Sequence, residues 1–184
     1  CSPGRYLAVS GEIAGHLRGG KWPPMGIFHW PPTGDIVKTY NYASRLLFER
    51  IALIARDWPG GTRRAITKVA HVRGHDHAAT TTYITTTCPA TWSPVPVPWS
   101  LVTSNIEVAG TGAYDGLQAA DVYAGMLNAA IAPDAYGNCS PDYLLECAHQ
   151  IRRGPAGQVL NFGIKVLGDQ SIITGQSWWP LPGK

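Results

Sequence analysis

From about residue 35 to residue 57 apolar side chains recur at spacings of three and four. Tyr40, Ala43, Leu47, Ile51 and Ile54 would share one face of a helix. Thr33 or Asp35 can cap its start, and Trp58-Pro-Gly-Gly61 ends it, because proline cannot continue a helix and glycine releases the turn. The β-branched run Ile66-Thr-Lys-Val-Ala-His-Val72 predicts a strand, and Asn105-Ile-Glu-Val-Ala109 predicts another. Between them a short helix over about residues 77–86 competes with a run of threonines. Pro89, Pro94, Pro96 and Pro98 then remove backbone donors and predict an extended loop over residues 88–99.

A second long helix is expected over about residues 117–132, closed by Pro133. Leu117, Ala120, Ala124, Leu127 and Ile131 form its core stripe, while Gln118, Asp121, Gly125 and Asn128 form a polar stripe beside it. Val122, Tyr123, Met126, Ala129 and Ala130 make the remaining faces apolar, which predicts a helix buried nearly all round. Ser140-Pro141 reads as an N-cap followed by proline at the first helical position, with that helix running to Arg152-Arg153 before Gly154-Pro155. A last strand is expected over residues 159–167. Residues 1–34 are rich in Gly and Pro, with two short apolar runs, Tyr6 to Val9 and Gly26 to Trp30, as their only strand candidates.

Strands alternating with helices predict an α/β fold. With 184 residues the chain has room for one substantial core. The expected organisation is a single domain over 1–184: an irregular N-terminal region 1–34, an α/β core 35–132, and a C-terminal helix, strand and tail over 133–184. A composition 45% hydrophobic and 15% charged excludes disorder. The net charge of +3 is spread along the chain, so it permits nucleic-acid binding without demanding it. Seven Trp and 15 Pro fall mostly between the regular segments, so the loops could contact a protein partner.

Cys1, Cys88, Cys139 and Cys147 show no paired spacing of a zinc site, and reduced thiols in a cytoplasmic setting are the expectation. No apolar run reaches the roughly 18 to 20 residues that cross a bilayer, so no membrane association is expected. The first residue is Cys1, not Met, which implies processing or a sequence that begins partway through a longer protein. Dinucleotide and P-loop fingerprints and a nucleophile elbow are all missing.

The chemistry that stands out is Asp121, the one charge in its helix, with Gln118 one turn away. A carboxylate in an apolar helix costs several kcal/mol unless it is paired, protonated or bound to a metal, and such groups often mark function. An ion pair with an arginine or a loop cap is the alternative. Glu49 and Asp76 are the other candidate acids. Arg45, four residues before Glu49, offers a surface ion pair as its alternative role, and Asp76 lies in a loop where acids are common. The segment His71-Val-Arg-Gly-His-Asp-His77 places three imidazoles at the carboxyl end of a strand, where open α/β sheets bind ligands. Its Asp76-His77 ending resembles metallo-hydrolase motifs, but the His-x-His spacing they need before that ending is absent, so zinc is not expected. His75 and Arg73 remain candidates for a polar site.

The stretch Gly116-Leu-Gln-Ala-Ala-Asp-Val-Tyr-Ala-Gly125 resembles the L-Q-x-A-D-x-x-A-G signature of the DUF3800 family, whose expected fold is similar to that of ribonuclease H-like nucleases. Other pieces agree in order: His29 in its Ile-Phe-His-Trp run, Tyr40-Asn-Tyr42, the strand ending at Val72 and the strand before the signature. The resemblance implies a mixed sheet flanked by helices and a metal-dependent nuclease or phosphodiesterase. Asp121, Glu49 and Asp76 would hold Mg²⁺ or Mn²⁺, and Gln118 would orient substrate or water. In such a site two ions about 4 Å apart activate water and stabilise the leaving oxygen. The family's Asp-Glu-Ser-Gly motif on the first strand is not found, and Glu12 is the only acid in the first 25 residues. The first strands are therefore expected to be missing or divergent. The rival implication is a catalytically inactive binding or assembly module of the same fold.

Overall fold

The computed structural model describes residues 36–93, 95–166 and 169–181. The expected strands at Tyr6 to Val9 and Gly26 to Trp30, the caps at Thr33 and Asp35, and His29 lie outside them. The described residues form a mixed α/β structure that packs as two compact units, residues 36–118 and residues 119–181.

The first unit opens with helix α1 (Ile36–Arg56), which matches the expected span within a residue at each end. Its most buried face runs through Phe48, Ala52 and Ala55, one residue on from the Leu47–Ile51–Ile54 stripe. The segment Leu-Leu-Phe-Glu-Arg-Ile-Ala-Leu-Ile-Ala is apolar on adjacent stripes, so spacing alone does not choose between them. Strands β1 (Thr67–Ala70) and β2 (Ile106–Ala109) pair in parallel, with Thr67 opposite Ile106 and Lys68 opposite Glu107.

A helical segment makes the crossover between the strands: α2 (His77–Thr82), a π-helical turn (Tyr83–Thr87) and α3 (Cys88–Ala90). It runs past the expected end near residue 86, so the extended loop begins at Thr91, not Cys88. Within the helical segment the threonine hydroxyls bond back to the backbone, Thr85 to the Thr81 carbonyl at 2.9 Å and Thr91 to that of Thr87 at 2.7 Å, a local bond that satisfies the side chain and tends to bend a helix. Phe48, Ala52, Ile84, Cys88, Trp99 and Val102 form the core, with Val69 and Ile106 packed against it. Both helical segments thus cover one face of the strand pair. Burying each large apolar side chain contributes about 1.5–3 kcal/mol.

Helix α4 (Asp115–Ile131) begins in the first unit and continues into the second. It is not buried all round as expected. Val122 is 55% exposed, and Gln118 and Asn128 are exposed, whereas Leu117 and Ala130 are buried.

In the second unit Ala130, Leu144, Ala148, Val159, Ile164, Ile173 and Leu181 make the core. Two expectations fail there. The helix expected to reach Arg152-Arg153 is only α5 (Asp142–Glu146), followed by a 3₁₀ turn at Ala148–Gln150, and Ser140 does not cap it. Cys147, at φ −91° and ψ 0°, leaves helical geometry and ends the ladder. Where the strand beginning at Val159 is expected, residues 159–164 instead form a turn in which the amides of Phe162, Gly163 and Ile164 all bond the Val159 carbonyl. Asn161 sits at φ 65°, a left-handed conformation that asparagine tolerates. A short helix, α6 (Ser171–Thr174), precedes the Trp178-Trp179 tail. Among the described residues no helix is long and apolar enough to cross a membrane.

Candidate functional site

The expected acids have different fates. Glu49 is on α1, only 6% exposed. Its Oε1 accepts from Arg45 Nε at 3.0 Å, and Oε2 lies 3.8 Å from an Arg50 guanidinium nitrogen. The ion pair anticipated as a surface contact is therefore an interior one. Burial acts to lower the Arg45 pKa, but the hydrogen bond and charge of Glu49 outweigh it and hold the guanidinium above its ordinary value. A second Arg45 nitrogen donates to the Trp92 carbonyl at 3.3 Å. Tyr83 and Cys88 border the same cluster, and burial pushes both the phenol and the thiol up.

Asp76 is not in a free loop. It is the N-cap of α2, with Oδ1 accepting from the Ala79 amide at 2.9 Å. This satisfies one of the amides that the first turn of a helix leaves unpaired.

Asp121, on α4 in the second unit, is half-buried rather than enclosed. It takes no hydrogen bond or ion pair from a described residue. The premise of a bare carboxylate in a fully apolar helix is therefore overturned, since water reaches the group. Gln118 lies three residues earlier on the same helix and is exposed.

The three histidines do gather. The His71 and His77 ring centroids are 5.1 Å apart, those of His75 and His77 are 4.9 Å apart, and Tyr40 lies against His75 at 3.9 Å. His77 Nε2 accepts the Val72 amide at 2.9 Å, so in the neutral ring the proton sits on Nδ1. His75 Nε2 lies 2.8 Å from Thr80 Oγ1, which donates to Asn41 Oδ1 at 2.7 Å. Arg73 is exposed on the turn between them. The cluster thus joins the end of β1 to the start of α2.

Among the described residues no three His, Cys, Asp or Glu side chains form a group that could hold a metal ion. The donor chemistry of the first unit agrees. Glu49 is engaged by two guanidinium groups, and the Asp76 cap bond belongs to the fold of α2. Glu49 is thus committed through both carboxylate oxygens, and Asp76 through one. In the Trp- and Pro-rich loop, Trp92 is 79% exposed and its carbonyl accepts from Arg45.

No protein-family model, no curated protein and no solved structure matches the chain.

Proposed function

We propose that this chain is a binding or assembly module of ribonuclease H-like fold that engages a protein partner through its Trp- and Pro-rich loop around Trp92. The observation that carries the reading is the state of the expected metal ligands. Both carboxylate oxygens of Glu49 are engaged by guanidinium groups, and one oxygen of Asp76 caps a helix, so each expected ligand already has a structural role. The exposed indole of Trp92 supports it further. Aromatic side chains supply large contact area at low entropic cost, and Trp is enriched among residues that dominate binding energy. The finer fold is part of the proposal, supported by the parallel strand pair with its helical crossover and the long helix that precedes it.

The second reading, metal-dependent phosphodiester hydrolysis, is favoured by one observation. Asp121 is accessible and uncommitted, with Gln118 one turn away. One assay separates the two: cleavage of single-stranded, duplex and hybrid nucleic acids in Mg²⁺ or Mn²⁺, with wild type beside Asp121→Asn. The module reading expects no divalent-dependent cleavage by either folded protein. Cleavage by wild type that is lost in Asp121→Asn overturns it in favour of the hydrolase.

A further inference from the structure

We infer that Glu49 is the internal counter-ion of a structural network that seats the Trp92 loop on α1, and is not a ligand for a divalent cation. The reasoning begins with charge. Arg45, Arg50 and Glu49 together carry two positive charges and one negative, in a cluster where Glu49 is almost fully buried. The neighbouring Cys88 thiol and Tyr83 phenol are both pushed toward their neutral forms by burial, so they add no anion. A divalent cation at Glu49 would have to displace, or sit beside, the two guanidinium groups that already engage its carboxylate.

Geometry gives the network its purpose. Arg45 uses one nitrogen on Glu49 and another on the Trp92 carbonyl, so the carboxylate fixes the guanidinium and the guanidinium fixes the loop. The π-helical turn serves the same end. In it the Cys88 amide bonds the carbonyl of Tyr83, five residues back, and the chain then leaves the helix at Thr91, immediately before Trp92. The module reading draws on this same state of Glu49, and the use of Trp92 by a partner rests on that reading; the cleavage assay tests the reading and the measurements below test Glu49.

The test uses the whole chain, with thermal unfolding and amide hydrogen exchange followed with and without millimolar Mn²⁺. Glu49→Gln should lower Tm by about 6–20 °C, as expected when one partner of a buried pair is lost. The loss should be the same with and without the ion, and amides of residues 91–93 should exchange faster. A saturable rise in wild-type Tm with Mn²⁺ that is absent from Glu49→Gln overturns the inference. If Glu49→Gln does not fold, Mn²⁺-induced broadening of wild-type NMR signals decides: broadening centred on residue 49 overturns the inference, and signals there that stay sharp support it.

Discussion

The Nε2 atom of His75 and the hydroxyl of Thr80 are 2.8 Å apart, and Thr80 already gives its single proton to Asn41. The hydroxyl can therefore only accept from His75, which places the imidazole proton on Nε2. Imidazole ¹⁵N spectra at neutral pH should show His75 as the Nε2–H tautomer, and the Nδ1–H form would contradict the relay. Thr80→Val removes a group that is donor and acceptor at once. It should cost about 1–3 kcal/mol in urea denaturation, the penalty of leaving part-buried partners unsatisfied.

Lys68 and Glu107 stand opposite each other in the parallel register and form an ion pair, and Tyr114 donates to the other carboxylate oxygen at 2.6 Å. The hydrogen bonds from Lys68 and Tyr114 hold the Glu107 carboxyl below its ordinary value, and Glu107 with Tyr114 holds Lys68 above its own. For Glu107 the resulting stability is fully present above the unfolded carboxyl value and is lost as pH falls through the depressed folded value. For Lys68 it is present below the unfolded lysine value and is lost as pH rises through the raised one. Glu107→Gln should flatten the acid limb of a plot of urea midpoint against pH, and high salt should shrink the difference, since the pair is open to solvent. An acid limb unchanged in the variant would show that the pair contributes nothing.

Asp76→Ala should cost about 0.5–2 kcal/mol, the usual loss of an N-cap, whereas Asp76→Asn or Asp76→Ser should retain most of the stability because each keeps an acceptor oxygen. Urea midpoints rank the three. If Asp76→Asn falls as far as Asp76→Ala, the carboxylate charge has a role other than capping.

These outcomes bear on how much the chain disclosed before its fold was known. α1, β1 and β2 were legible because a long 3.6-residue periodicity and short β-branched runs each admit one regular structure. The crossover helix was read too short, since burial of Ile84 and Cys88 in the core overrides the poor helix propensity of threonine. The turn at residues 159–164 was misread because Val159, Leu160 and Ile164 are apolar whether they line a strand or face inward from a turn. At the site, the Arg45–Glu49 pairing was foreseen from spacing, but its burial was not, because neighbouring apolar stripes on α1 left its inward face undetermined. The capping role of Asp76 was within reach, since the expected helix start at residue 77 makes Asp76 the residue before it, but an acid in a loop was read without that link.

Gly125 separates stability from function on the polar stripe of α4. A Cβ added there meets nothing within 4 Å, and the residue lies one turn beyond Asp121 inside a helix. Gly125→Ala should therefore stabilise the fold by about 0.5–1 kcal/mol, because alanine loses less backbone freedom than glycine on entering a helix. A loss of stability would mean that something packs closely on this stripe. Gly125→Leu puts a branched side chain beside Asp121 while helix propensity stays favourable. On the hydrolase reading, where substrate approaches this stripe, the leucine variant should keep or gain Tm yet lose activity in the cleavage assay. A leucine variant that is stable and cleaves as well as wild type would remove Asp121 and its neighbours from the candidate site.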